Sequence, residues 1–239
     1  MNLDNNVKCR KQTRAIKFTP HINPYALGSV MAEFGNTKVH ITVSLEEGVP
    51  HWMKGKGQGW ITAEYNMLPG ATHTRSKRER NGPGGRTQEI QRLIGRCLRT
   101  IVDLKKLGEN SIFVDCDVIV ADGGTRTTSI SGAYVALVLA TRELTKRGLS
   151  KENPLKEAIA AVSVGIDPQG NILADLNYQE DSSCHTDMNF VMTKSGKFVE
   201  IQGTAEKDPF NKDQLMVIMS CAEESLKEVF NMQDQVLSL

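Results

Sequence analysis

Residues 111–132 read SIFVDCDVIVADGGTRTTSISG. β-Branched and apolar residues run from Ser111 to Val120 and predict a strand. From Ser129 to about Lys146 the residues are small or apolar almost all round, which predicts a heavily buried helix. Between the two lie an acidic turn, Gly123-Gly124, and Thr125-Arg126-Thr127. Glycines let backbone N–H groups come close to an anion, and a helix start adds unpaired N–H groups and a favourable dipole. Arg126 adds a planar cationic fork that fits phosphate oxygens. A lone Gly-Gly turn most often only relieves strain. An arginine at the positive end of a helix, however, is repelled unless an anion is present, so the stretch reads as a cradle for inorganic phosphate or a phosphoryl group.

Outward from this stretch the elements alternate. Ser29 to Phe34 and Lys38 to Leu45 are two runs joined by Gly35-Asn36-Thr37, a hairpin pattern. The loop HWMKGKGQG leads into a strand from Trp60 to Tyr65. Leu68 to Arg86 loses periodicity and carries Arg75, Lys77, Arg78, Arg80 and Arg86. From Thr87 an apolar stripe at helical spacing runs from Ile90 through Val102, with Gly108 as the expected C-cap. After Asn153-Pro154 come expected strands at Ala158–Ile166, Asn171–Asn177, Asp187–Thr193 and Lys197–Gln202, then an amphipathic helix from Leu215 to Phe230. This order implies an α/β or α+β chain with mixed sheet, organised as one domain with two related halves, roughly 1–150 and 151–239.

Composition limits the function classes. Among 239 residues, 29 Lys+Arg balance 28 Asp+Glu, so any polyanion-binding surface must be local. Five scattered cysteines form no CxxC, and the histidines lack metal-ligand spacing, which argues against a disulfide framework or a zinc site. The N-terminal MNLDNNVKCRK has no apolar leader core and no run approaches eighteen apolar residues, so a soluble, cytoplasmic protein is expected. No GxxxxGK[ST] pattern is present, which removes a P-loop kinase.

Three further groups of residues bear on chemistry. Arg86 follows Gly82-Pro83-Gly84-Gly85 and precedes a helix, a second glycine-rich helix start with arginine beside it. Asp181 and Asp187 are six apart, so on extended chain they would share one face, and two carboxylates near phosphate suit Mg²⁺. Asp115 and Asp117 also share a strand face but have nothing nearby to complete a site. The loop arginines suit a polyanionic substrate, whereas Arg92, Arg96 and Arg99 read as an exposed helix face or a subunit contact.

Eleven segments resemble the ribonuclease PH family, in family order along nearly the whole chain. They are GSV at 28–30, EFGNTKV at 33–39, GQGWITAEYNMLP at 57–69, THTR at 72–75, GRTQEIQRLIGR at 85–96 and DCDVI at 115–119. ADGGTRT at 121–127, NPLK at 153–156, VSVGI at 162–166, YQEDSSCHTDMN at 178–189 and IQGTAE at 201–206 complete the set. The resemblance implies a ribosomal-protein-S5-domain-2-like fold and a homo-oligomeric ring of six built as a trimer of dimers. It implies a phosphate-dependent 3′-5′ exoribonuclease that trims tRNA precursors and other RNA 3′ ends, rRNA among them, and releases nucleoside diphosphates. By the same resemblance, Arg86, Gly124, Thr125 and Arg126 hold phosphate as co-substrate. Asp181 and Asp187 are the catalytic pair that holds Mg²⁺ or Mn²⁺, and Arg75 and Arg78 contact RNA. A non-catalytic RNA-binding subunit of a related ring is the competing expectation. The chain departs from the family pattern at Gly70, where arginine follows MLP, at Val120, where glutamine precedes ADGG, and at Leu27, where an acidic residue precedes GSV.

Overall fold

The computed structural model describes residues 8–150 and 152–238. The leader reading at the N-terminus falls partly on residues 1–7, outside the described residues. Among the described residues, ten strands form two five-stranded sheets, and four α-helices pack with them. The mixed α/β expectation is therefore met.

The first sheet has the order β2-β3-β4-β6-β5. Its strands are β2 (Ile16–Pro20), β3 (Gly28–Phe34), β4 (Thr37–Glu47), β5 (Trp60–Met67) and β6 (Asn110–Val120). The expected hairpin forms, with Phe34 paired to Thr37 across Gly35 at φ +56°. β5 and β6 run parallel, connected through α1 (Gly85–Thr100). The second sheet has the order β1-β8-β7-β9-β10. It comprises β1 (Cys9–Arg10), β7 (Ile159–Ile166), β8 (Ile172–Ala174), β9 (Thr186–Thr193) and β10 (Phe198–Ala205). The short N-terminal β1 thus joins the sheet built otherwise from the later part of the chain, parallel to β8.

Helix α2 (Thr125–Lys146) contacts β3 and β4 of one sheet and β7 of the other, which explains why it is apolar on nearly every side. Close approach demands small residues there. A Cβ on Gly132 would lie 2.5 Å from Ile41 Cδ1, and one on Gly28 would lie 2.1 Å from the Ala136 carbonyl oxygen. Helix α4 (Lys212–Leu237) covers the second sheet, packing on β7 and β8, and its first turn is closed by an Asn211–Gln214 capping box. Buried residues from both sheets and from α1, α2 and α4 form one continuous core.

Three boundary differences bear on the site and the elements that lead to it. Helix α1 ends at Thr100, and Gly108 caps a separate 3₁₀ turn, Leu104–Leu107, rather than the helix. Helix α2 begins at Thr125, four residues early, because Gly124 adopts φ +64° and starts it directly. The expected strand Asn171–Asn177 stops at Ala174, since Asp175 takes φ +52° and Asn177 starts a short helix, α3 (Tyr178–Ser183). Asp181 therefore lies on a helix, not on the extended chain whose even spacing was expected to put it on one face with Asp187.

Candidate active site

The glycine turn is held from three directions. The β3–β4 hairpin supplies Thr37, whose Oγ1 donates to the Gly123 carbonyl at 2.6 Å and accepts from Asp122 N at 3.0 Å. The N-terminal arm supplies Arg14, which donates through Nη1 to the Asp122 carbonyl at 2.5 Å. The same guanidinium grips Asp175 at 2.7 and 2.9 Å, so Arg14 bolts the turn to the end of β8. On the far side, Asp122 Oδ1 accepts from Tyr178 N at 3.2 Å. A Cβ on Gly123 would lie 2.3 Å from the Leu176 carbonyl, so only glycine fits where turn and β8–α3 connection meet.

No side chain caps α2, whose N-cap is Gly124. Its first residue, Thr125, is buried and receives a hydrogen bond from the Tyr65 hydroxyl at 2.8 Å. Arg126 Nη1 donates to Gln202 Oε1 on β10 at 2.5 Å and lies 3.7 Å from Glu89 Oε1 on α1. Glu89 answers part of the charge problem posed by an arginine at a helix start. Neither Gln202 nor Glu89 was legible as a site residue, because both reach Arg126 only through tertiary packing.

These groups line a cleft of about 580 Å³. Arg86, Gly124, Thr125, Arg126, Asp181 and Asp187 all face it. So do Glu206 and Asn189. The meeting of Asp181 with Asp187 comes from a different geometry than the sequence suggested. Asn177 Oδ1 accepts from Glu180 N at 2.9 Å while Glu180 Oε2 accepts from Asn177 N at 3.1 Å. This capping box winds α3 and turns Asp181 towards the start of β9, where Asp187 sits.

The electrostatics of the carboxylates follow from that placement. Burial is the main influence pushing the Asp181 carboxyl above the usual range, and Asp187 pushes it further. Burial likewise raises Asp187, with Glu206 adding to it. Arg126 and Arg86 pull both back. Among the described residues no group of three or more His, Cys, Asp or Glu is placed to hold a metal, and these two carboxylates by themselves could supply only part of the oxygen ligands of a divalent ion.

The second glycine-rich helix start behaves differently from the first. Glu79 Oε2 accepts from Gly84 N at 2.9 Å, and its Oε1 accepts from the Thr87 hydroxyl at 3.1 Å. A carboxylate of the basic loop already occupies that helix start, and Arg86 lines the cleft with an exposed side chain. Arg78 and Arg86 also line a neighbouring cleft of about 400 Å³. Arg75 is exposed on the same loop and lines neither cleft. Asp115 and Asp117 line a small cavity of about 130 Å³ with Glu64, and Asp117 also lines the 400 Å³ cleft beside Arg78 and Arg86. Of the α1 arginine stripe, Arg96 pairs with Glu200 at 2.8 Å, and Arg99 stacks on Trp60 at 4.4 Å. Among the described residues, no helix is long and apolar enough to cross a membrane.

Comparison with known proteins agrees with this fold. The profile of the 3′ exoribonuclease family, domain 1, matches residues 12–143, and that of domain 2 matches residues 157–225. The crystal structure of rice (Oryza sativa) Rrp46 superposes with a TM-score of 0.77 at 17% identity, covering 95% of this chain and 96% of that one. The Archaeoglobus fulgidus exosome with RNA bound to the active site gives 0.76 at 20% identity, covering 92% and 89%. At these identities the structural likeness speaks for the fold, and the two family domains speak for kinship. The chain belongs to the 3′ exoribonuclease (RNase PH) family.

Proposed function

We propose that this protein is a phosphate-dependent 3′-5′ exoribonuclease that trims tRNA precursors and releases nucleoside diphosphates. The observation that carries this reading is the single cleft lined by Arg86, Arg126, the glycine turn, Asp181 and Asp187. Attack by one anion on another needs charge neutralisation and alignment above all. Arg86 and Arg126 bind and orient inorganic phosphate, with backbone N–H groups around Gly124 and Thr125 as further donors. A phosphate oxygen bonds to the phosphorus of the last phosphodiester. The bond to the 3′ oxygen of the preceding nucleotide breaks, and that oxygen leaves with a proton. Mg²⁺ (or Mn²⁺) held by Asp181 and Asp187 would supply positive charge at the leaving oxygen.

Arg75 and Arg78 then hold the body of the RNA through its backbone, without reading sequence. In a ring of six, built as a trimer of dimers, basic loops of several copies would surround one RNA, which suits a chain of net charge +1. Its mass in solution would be six times 26.4 kDa. The five free cysteines support a reducing, cytoplasmic setting.

The test is incubation with a 3′-extended tRNA, with and without phosphate. Phosphate-dependent nucleoside diphosphate supports the proposal. Nucleoside monophosphate formed without phosphate indicates hydrolysis and overturns it. Tight RNA binding with no product supports a non-catalytic ring subunit instead.

A further inference from the structure

Tyr65 follows Ile61 and Ala63 on the inward face of β5 and is 2% exposed. Phenylalanine would fill that place as well, so packing leaves the hydroxyl unexplained. The hydroxyl donates to Thr125 Oγ1 at 2.8 Å in a buried hydrogen bond between residues 60 positions apart. Burial raises the phenol above its usual range, against the pull of Thr125, Arg86 and Arg126, so it stays a protonated donor. Thr125 is the hydroxyl of the α2 start that faces the phosphate cleft. Its neighbours spend their protons on the helix. Thr127 Oγ1 donates to the Gly124 carbonyl at 2.9 Å, and Ser129 Oγ donates to the Thr125 carbonyl at 2.8 Å. Thr125 differs from both because its oxygen is engaged by a side chain of another element. A hydroxyl has one proton and two lone pairs, so accepting from Tyr65 fixes the rotor and leaves the proton to be given elsewhere.

We propose that Tyr65 is a positioning residue for phosphate: its buried hydroxyl holds the Thr125 hydroxyl as a donor to the anion in the cleft. The inference rests on the phosphate site proposed above. Without the Tyr65 proton, the Thr125 hydroxyl would be free to turn back to the helix backbone, as Thr127 and Ser129 do. Accepting one hydrogen bond also polarises the Thr125 O–H and strengthens the bond it gives. Tyr65 itself touches neither phosphate nor RNA in this arrangement and acts through Thr125 alone.

The test is a double-mutant cycle on the full chain, with inorganic phosphate titrated by calorimetry. Thr125→Val should weaken phosphate binding about tenfold, the scale of one hydrogen bond to a charged group. Tyr65→Phe should cost roughly fivefold, part of that loss. In the Thr125→Val background Tyr65→Phe should cost nothing further, and in Thr125→Ser, which keeps a hydroxyl, the Tyr65→Phe penalty should reappear. A Tyr65→Phe protein with lowered Tm and unchanged phosphate affinity would make the bond merely structural and overturn the proposal. So would an equal Tyr65→Phe penalty with threonine or valine at 125, or loss of the fold in Tyr65→Phe. Because the readout is phosphate binding, a wild type that binds phosphate but releases no nucleoside diphosphate counts against the proposed reaction and leaves the cycle readable. A wild type that binds no phosphate counts against both.

Discussion

Arg126 on α2 donates to the Gln202 side-chain carbonyl on β10 at 2.5 Å, and the Gln202 amide in turn donates to Glu89 on α1 at 2.7 Å. The guanidinium that follows the glycine turn is therefore aimed by a residue 76 positions away. Gln202→Ala would free the fork to swing without removing its charge. The expected outcome is a several-fold rise in the phosphate KM with kcat largely kept, measured by initial rates at varied phosphate. Glu89→Gln should do the opposite and tighten phosphate, because it removes a negative charge 3.7 Å from Arg126.

The carboxylate pair predicts a trade between stability and activity. Burial first, then neighbouring carboxylates, hold Asp181 and Asp187 above the usual carboxyl range. A carboxyl whose folded pKa lies above its unfolded value of about 4 contributes stability that is fully present below that value. The contribution is lost as pH rises through the folded pKa. At neutral pH the charged pair is thus a cost, and Asp181→Asn should raise Tm at pH 7 by about 2 °C while abolishing turnover. The gain should vanish towards pH 4, and Mg²⁺ should shrink it by stabilising wild type alone. Scanning calorimetry across pH, with and without Mg²⁺, measures each part.

Arg14 anchors the site from behind. Its backbone N–H, Nε and Nη2 all donate to Asp175, which is 1% exposed and sits at φ +52°. Arg14→Ala would leave that carboxylate buried without its partner, at a cost of roughly 3 kcal/mol. Thermal unfolding should show a Tm lowered by about 10 °C.

If the basic loop meets the RNA backbone as proposed, RNA binding should fall steeply with salt. Arg78→Ala should reduce the slope of log K against log salt by about 1 and weaken all RNA sequences alike. Fluorescence anisotropy from low to moderate salt gives the slope directly. A flat salt response in wild type would remove the loop from RNA binding.

Much of the fold was legible because its strands alternate and α2 is apolar all round, patterns set by burial between two sheets. The failures have local physical causes. Thr125, Thr127 and Thr128 are weak helix formers, so the first turn of α2 was hidden; a left-handed glycine and the buried Tyr65–Thr125 hydrogen bond start it there. Ile101 and Val102 continue the apolar stripe of α1 because they are buried beyond its end, which made the helix look longer. The Asn177–Glu180 capping box was present as NYQE, but the even spacing of Asp181 and Asp187 invited an extended reading. The arginines and aspartates of the cleft could be named from sequence. Gln202, Glu89 and the brace by Arg14 could not, since each depends on pairings between distant segments.

In the proposed reaction the anion held at Gly124-Thr125-Arg126 is the attacking phosphate. Supplying ¹⁸O-labelled inorganic phosphate with a 3′-extended tRNA and examining the product by mass spectrometry tests it most directly. The account predicts nucleoside diphosphate labelled in its β-phosphoryl group, with the rate of label transfer reduced at least ~10²-fold in Arg126→Ala. Unlabelled nucleoside monophosphate, or label transfer unchanged by Arg126→Ala, would contradict it.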